Sequence, residues 1–126
     1  MVGLIDTSVF VGVEDSRVDM TELPDEIAVS VVTLAELRLG VLLASGVAAR
    51  QQRLSTLQFA SSLYPVPIDL DVAEEWARIT AELKQGKRRS PINDIWIAAT
   101  AIRHSMSVIT QDSDYDLIPG LDVVRV

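Results

Sequence analysis

The stretch GLIDTSVFV, residues 3–11, places a single carboxylate inside an apolar run. Residues 3–5 are typical of the end of a buried strand, and residues 9–11 return to the same apolar character after Asp6. An unpaired buried charge is costly, so Asp6 needs either a local structural partner or a ligand. Its side chain also suits the N-cap of a helix over about residues 6–13, and both interpretations stay open at this point.

Composition indicates an ordinary globular chain. Its 126 residues, 48% of them hydrophobic and 23% charged, are enough for one domain with a sizeable core. There is no cysteine, which excludes disulfides and thiolate metal sites. Apolar runs are far shorter than the roughly 20 residues that span a bilayer, and no basic region precedes the first apolar residues. We therefore expect a cytoplasmic protein without a membrane span or signal peptide.

The formal net charge of −7 restricts the kinds of partner. Proteins that hold nucleic acid only through phosphate contacts are usually basic, so a free nucleic-acid-binding module is disfavoured. An acidic protein can still act on phosphates when its carboxylates hold metal ions, because the metal supplies the positive charge.

Short apolar segments alternate with helical patterns along the whole chain. We predict strands at residues 2–5, 27–30, 66–68, 107–110 and 123–126, and helices at about 6–13, 31–45, 47–63, 71–84 and 91–104. Asp71 is predicted to cap the fourth helix. This alternation favours a parallel sheet covered by helices on both faces, and such folds bind ligands at the carboxyl ends of their strands.

Three further acids lie on apolar elements near predicted strand ends. Asp112 follows the strand 107–110, Glu36 lies on the helix after the strand 27–30, and Asp94 lies in the first turn of the helix that begins at Pro91. Together with Asp6, these acids can converge on one pocket.

Each of these acids also has a purely structural explanation. Thr33–Glu36 fits the capping-box pattern, Asp94 suits the positive end of a helix dipole, and Asp112 suits a turn. Their joint placement at corresponding ends of separate elements favours a shared site.

Converging carboxylates repel one another unless a cation neutralises them. Because the set offers only oxygen ligands, the cation should be Mg²⁺, with Mn²⁺ as a second possibility. Such a pocket suits phosphodiester hydrolysis, in which one or two metal ions activate water and stabilise the leaving oxygen.

At these residues the chain resembles the PIN-domain family, and specifically the VapC-type ribonuclease toxins of bacterial toxin–antitoxin pairs. The resemblance rests on four motifs in order: LIDTSVF at residues 4–10, TLAELRLG at 33–40, PINDIWIAATAI at 91–102 and VITQDSDYDLIPGLDV at 108–123. One departure is Gln111 after Thr110, where the family often has arginine.

The resemblance implies a single PIN domain over residues 1–126. Its fold would be α/β, a three-layer α/β/α sandwich with a central, mainly parallel sheet of about five strands. Its activity would be that of a Mg²⁺-dependent endoribonuclease with a VapB-type antitoxin, an RNA substrate and a homodimeric assembly. An alternative is a PIN fold that has lost catalysis and serves only as a binding module.

The resemblance also implies a role for particular residues. Asp6 and Asp94 would be the principal metal ligands, with Glu36 and Asp112 completing the acidic set. Supporting residues would be Thr7, Ser8 and Asn93. Of the three acids in the last motif, Asp112 is favoured, Asp114 is a candidate accessory ligand, and Asp116 stays open.

The segment KQGKRRS, residues 84–90, is the one dense basic cluster in this acidic chain. Lys87, Arg88 and Arg89 are therefore candidate RNA contacts beside the Asp94 helix. The alternative is a solvated helix end, where cations are favoured in any case. Trp76 and Trp96 are predicted to pack in the core.

Two other classes of acidic protein fit the sequence less well than a nuclease. A phospho-acceptor receiver domain also uses acids at strand ends with Mg²⁺, but it needs a lysine near a late strand end, and the two lysines here lie in the basic cluster. An acid-nucleophile phosphatase needs a second aspartate two residues after the first, where this chain has Ser8.

Overall fold

Five strands and five α-helices make up most of residues 2–126, the part of the chain described by the structure, which is a computed structural model. The strands are β1 (Val2–Ile5), β2 (Glu26–Ser30), β3 (Tyr64–Val66), β4 (Ser107–Thr110) and β5 (Val123–Arg125). The helices are α1 (Thr7–Glu14), α2 (Val31–Leu43), α3 (Val47–Ser62), α4 (Leu70–Gln85) and α5 (Ile92–Arg103). Short 3-10 helices follow α1 at Met20–Glu22 and β4 at Ser113–Leu117.

The strands form one parallel sheet in the order β3-β2-β1-β4-β5. Strand β1 is central, with Leu4 opposite Ala28 of β2 on one side and Val108 of β4 on the other. The carboxyl end of β1 therefore lies between the carboxyl ends of β2 and β4. The predicted parallel sheet is confirmed.

Alternate residues of the central strands face two separate cores. Leu4 belongs to a core with Ile79 of α4 and Ile97 of α5, whereas Ile5 belongs to a core with Phe10 of α1 and Leu37 of α2. Because successive side chains of a strand point to opposite faces, the central strands β1, β2 and β4 each contribute to both cores. The expected three-layer α/β/α sandwich is confirmed.

The start of α4 differs from the prediction that Asp71 caps it. The N-cap is Asp69, whose side chain accepts a hydrogen bond from the backbone N–H of Val72 at 2.9 Å. Asp71 lies inside the first turn and forms an exposed ion pair with Arg103 at 2.9 Å. Both acids are near the helix start, and only the one with extended backbone angles can cap it.

Strand β3 lies two residues earlier than predicted and contains Pro65. Proline lacks the N–H that a central strand needs, but β3 is an edge strand that pairs only with β2, where proline is tolerated.

Helix α2 ends at Leu43 rather than at residue 45, and much of its apolar surface faces solvent. The relative exposures of Leu39, Leu42 and Leu43 are 53%, 68% and 72%. Within residues 2–126, none of the helices combines the length and the apolar character needed for a bilayer span.

Candidate active site

Asp6 follows β1 directly and is only 3% exposed. As the N-cap of α1 it accepts a hydrogen bond from the backbone N–H of Ser8 at 3.4 Å. Its carboxylate also accepts hydrogen bonds from the hydroxyls of Ser8 at 2.8 Å, Thr110 at 3.0 Å and Tyr115 at 2.9 Å. Asp6 is therefore both a helix cap and a buried, fully oriented acid.

Tyr115 joins the two acids that were expected to be principal ligands. It is fully buried, and its hydroxyl lies 2.9 Å from Oδ1 of Asp6 and 3.3 Å from Oδ1 of Asp94. Burial, reinforced by the two carboxylates, raises the pKa of Tyr115 far above its usual value, so the phenol keeps its proton and stays a donor.

Tyr115 and Thr110 are site residues that the sequence patterns do not predict. The available signal for Tyr115 was its position as the sole aromatic residue in the acidic segment 112–116. An aromatic side chain next to a strand is usually explained by core packing, and Tyr115 does belong to the core on the α4–α5 side.

Glu36 of α2 is oriented by the first residue of α1. Thr7 Oγ1 donates to Oε1 of Glu36 at 2.8 Å. The capping-box explanation of Glu36 is wrong, because α2 begins three residues earlier, where Ser30 accepts a hydrogen bond from the N–H of Val32 at 2.9 Å. Glu36 lies in the second turn of α2, so its carboxylate is available to the site.

Asp94, Asp112 and Asp114 form a carboxylate cluster in which one oxygen of each lies within 4.8 Å of the others. Burial raises the pKa of Asp94 to about 7, with further contributions from the charges of Asp6 and Asp112. The pKa of Asp112 is also raised, first by burial and then by the charge of Asp114. Both shifts follow from the burial of these carboxyl groups and from the closeness of like charges in the cluster.

Asp116 is directed away from the cluster. It forms an exposed ion pair with Arg125 at 2.7 Å, and the same guanidinium donates to the backbone carbonyl of Asp112 at 3.3 Å. Of the three acids in the last motif, Asp112 and Asp114 therefore face Asp94, whereas Asp116 does not.

The four acids expected from the sequence line one cavity of about 390 Å³ at the carboxyl ends of β1 and β4. The lining residues are Asp6, Thr7, Ser8, Val11, Arg17, Glu36, Asp94, Gln111 and Asp112. Arg17 is the one basic residue in this lining, and its guanidinium also bonds to Asp15 at 3.1 Å. Asn93 is exposed and does not line the cavity, and Lys87, Arg88 and Arg89 line a separate cleft.

Comparison with known proteins identifies the family. The PIN domain family matches residues 3–121 of the chain. The chain belongs to the PIN-domain family. This PIN domain is 50% identical over 128 residues to Ribonuclease VapC4 of Mycobacterium tuberculosis, an alignment that covers 98% of this chain and 95% of that protein. It is 44% identical to Ribonuclease VapC5 of the same organism, with the same coverage.

Solved structures of VapBC complexes have the same fold. The PIN domain matches a chain of VapBC-5, a toxin–antitoxin system of Mycobacterium tuberculosis, with a TM-score of 0.90 and 43% identity, over 99% of this chain and 98% of that one. It matches a chain of VapBC2 of Rickettsia felis, bound to a promoter DNA fragment, with a TM-score of 0.86 and 25% identity, over 100% and 99% of the chains. Membership of this family sets aside the receiver-domain and phosphatase alternatives.

Proposed function

We propose that this PIN domain, spanning residues 1–126, is a metal-dependent endoribonuclease and the toxin of a type II toxin–antitoxin pair. The observation that carries the proposal is the cavity at the strand ends, where Asp6, Glu36, Asp94 and Asp112 meet. Relatives named as VapC ribonucleases, aligned over 98% of the chain, support the same activity. The filled set of acids disfavours a PIN fold that only binds.

The donor chemistry of the cavity fits a hard divalent cation. Its carboxylates and hydroxyls offer oxygen atoms as ligands, and the carboxylates lie close enough together that a cation would relieve their mutual repulsion. We assign Asp6 and Asp94 as principal ligands of Mg²⁺, with Mn²⁺ as a substitute, and Glu36, Asp112 and Asp114 as the remaining acidic groups. When bound, the ion supplies the positive charge that activates water and stabilises the scissile phosphate.

The neighbouring side chains hold these acids in position. Ser8, Thr110 and Tyr115 each donate to Asp6, which fixes both of its oxygens relative to β1. Thr7 holds one oxygen of Glu36, which leaves the other oxygen to orient the attacking water and to accept its proton. Asn93, in the first turn of α5, is a further polar residue beside Asp94.

Basic residues outside the acidic cluster supply the contacts to the RNA backbone. We assign Lys87, Arg88 and Arg89 to phosphate groups on the α5 side. Arg17, which lines the acidic cavity, is assigned to a phosphate on the α1 side. These cations offset the repulsion between a polyanion and a chain of net charge −7.

RNA cleavage by single-residue variants tests the activity. Asp94→Asn and Asp6→Asn should each abolish Mg²⁺-dependent cleavage of RNA while the circular dichroism spectrum stays that of the folded protein. Asp116→Asn is the matched control, because this acid of the same loop is paired with Arg125 outside the cavity. Cleavage at the wild-type rate by the Asp94 or Asp6 variant would remove that residue from the catalytic set.

The exposed leucines of α2 are the proposed contact for a VapB-type antitoxin. Leu43 lies about 10 Å along the helix axis from Glu36, at about 1.5 Å per residue. An antitoxin segment packed on Leu39, Leu42 and Leu43 can therefore extend a basic side chain into the acidic cavity, where it would pair with the carboxylates. Leu42→Asp should weaken capture of the co-expressed antitoxin, whereas Leu70→Asp, at an equally exposed leucine of α4, should not.

The oligomeric state and the cellular compartment of the protein are also part of the proposed function. We propose that the protein acts in the cytoplasm, where its RNA substrates are, and that it forms a homodimer. Sedimentation of the purified chain measures the second point directly, since a dimer has twice the mass of the 13.8 kDa monomer.

A further inference from the structure

A cleft of about 810 Å³ lies between α4 and α5 and shares no lining residue with the acidic cavity. Ile92 and Ile95 of α5 line this cleft, whereas Asp94 between them lines the acidic cavity. The two sites therefore flank the first turn of one helix, whose diameter with side chains is about 10–12 Å. A single extended polymer can occupy both sites at once.

Three buried polar atoms in the lining of the cleft have no hydrogen-bond partner among residues 2–126. They are Nε1 of Trp76, Oγ1 of Thr80 and Oγ of Ser90. Unsatisfied buried polar groups are rare in folded proteins, so three beside one cleft leave hydrogen-bonding capacity for a ligand that shifts the side chains covering them. The indole N–H donates, and each hydroxyl both donates and accepts, as the polar edge of a nucleobase requires.

The rest of the lining carries the densest positive charge of the chain. Lys84, Lys87, Arg88 and Arg89 all line the cleft and are exposed. Four of the 11 basic residues of a protein with net charge −7 thus surround one opening. Phosphate groups are the natural counter-charge for such a set.

The backbone at Lys87 is that of a helix C-terminus. The end of α4 has the Schellman arrangement, in which the N–H of Arg88 bonds to the carbonyl of Leu83 at 2.8 Å and the N–H of Lys87 to that of Lys84 at 3.1 Å. This arrangement places Lys87 at a φ of 55°, a left-handed conformation that favours glycine. A lysine here carries the usual cost of a non-glycine residue at a positive φ, as Ser105 does at the end of α5.

We propose that the α4–α5 cleft is a nucleotide subsite of the RNA substrate. One base enters the cleft, packs against the aromatic ring of Trp76 and hydrogen-bonds to Thr80 and Ser90, while its phosphates lie on the four basic side chains. The choice of RNA over an acidic peptide rests on the proposed ribonuclease function, because the strand that leaves the cleft reaches phosphodiester-cleaving acids across α5. By preferring certain bases, the subsite would select which nucleotides of an RNA lie next to the phosphodiester that is cleaved.

Tryptophan fluorescence gives a direct measurement of binding. The chain has two tryptophans, Trp76 and Trp96, which stack on each other with ring centroids 4.9 Å apart, so both report on the cleft. The full chain in EDTA is titrated with the four nucleoside 5′-monophosphates and, separately, with inorganic phosphate. We expect saturable quenching by at least one nucleotide at concentrations where phosphate has no effect.

Single substitutions of residues that line the cleft measure how much each side chain contributes to nucleotide binding. Thr80→Val and Ser90→Ala should each weaken nucleotide binding by about three- to tenfold, since each removes one hydrogen-bonding group. Lys87→Gly should weaken it by about tenfold and at the same time raise Tm by about 2–5 °C, because glycine adopts the left-handed conformation freely. If Lys87 served only to end the helix, Lys87→Gly would raise Tm without weakening nucleotide binding.

The matched control is Ser105→Gly. Ser105 follows α5 with a φ of 55°, and the N–H of Met106 bonds to the carbonyl of Ala101 at 2.9 Å, so the helix end has the same geometry as that of α4. This variant should raise Tm as Lys87→Gly does and leave nucleotide binding unchanged.

Three results would overturn the subsite. These are no quenching by any nucleotide, equal quenching by inorganic phosphate, and equal quenching by an acidic peptide such as hexaglutamate. The measurement is independent of the nuclease proposal, because no cleavage occurs in EDTA. Mg²⁺-dependent cleavage of RNA without nucleotide binding would contradict the subsite proposal alone. Nucleotide binding without cleavage of RNA would support the subsite and contradict the nuclease proposal.

Discussion

Asp6 and Asp94 are both acids of the cavity, but their surroundings differ. Asp6 accepts hydrogen bonds from three hydroxyl groups, whereas the one side-chain donor to Asp94 among residues 2–126 is the phenol of Tyr115, which Asp94 shares with Asp6. An asparagine at position 6 would direct an amide donor toward hydroxyl donors, which offsets any relief of repulsion. Asp94→Asn is therefore the better variant for measuring how much the crowded charges destabilise the metal-free protein.

The stability of the metal-free protein should fall as pH rises through the titration of Asp94. Its pKa of about 7 in the folded protein lies above the unfolded value of 3.8, so the folded state binds more protons between these values. The stabilisation is fully present below pH 4 and is lost as pH approaches and passes 7. Urea unfolding in EDTA from pH 4 to 8 measures this slope, which Asp94→Asn should flatten and Asp116→Asn should not.

Tyr115→Phe keeps the buried ring and removes the donor shared by Asp6 and Asp94. We expect cleavage and Mg²⁺ affinity to fall by about 10–100-fold, the usual effect of losing a group that orients a metal ligand. Tyr64→Phe is the control, since Tyr64 is 69% exposed on the edge strand. Unchanged kinetics and Mg²⁺ affinity in Tyr115→Phe would contradict an orienting role for the phenol.

For single strands and helices, the sequence predicts which elements are present more accurately than it predicts where each one begins and ends. The strands and helices were found because their apolar residues recur at the period of each structure. Errors arose where two residues fit one role, as with Asp69 and Asp71 at the start of α4. Backbone angles decide between two such candidates, and a sequence pattern does not contain them.

The two acids at the start of α4 make a matched pair for measurement. Asp69→Ala should lower the free energy of unfolding by about 1 kcal/mol, because it removes the hydrogen bond to the N–H of Val72. Asp71→Ala removes only an exposed ion pair with Arg103 and should change it by less than about 0.5 kcal/mol. Chemical denaturation of the two variants compares these values, and a larger loss for Asp71→Ala would reverse the assignment of the cap.

For the whole molecule, the sequence was most informative about the acidic site. Asp6, Glu36, Asp94 and Asp112 were recognised as a group because a parallel sheet brings its carboxyl ends to one edge. Tyr115 and Arg17 were missed because neither stands at a strand end. Their contribution depends on where the 3-10 helix Ser113–Leu117 and the loop after α1 place them.

Binding of Mg²⁺ should stabilise the folded molecule as a whole, since a ligand that binds only the folded state adds its binding free energy to folding. At a concentration 100 times the Kd the gain is about 2.7 kcal/mol. Differential scanning calorimetry with and without Mg²⁺ measures it, and Asp94→Asn should lose most of the shift while Asp116→Asn retains it. Equal shifts in all three proteins would place the ion elsewhere.

The hydrogen bond between Asp6 and Tyr115 joins residues 109 positions apart in the chain. A ribosome making this protein thus releases the first acid long before the group that orients it. An incomplete chain that ends before Tyr115 lacks β5 and the phenol that orients Asp6, and one that ends before residue 112 also lacks the acids Asp112 and Asp114. The acidic site is therefore complete only when synthesis of the chain is nearly finished.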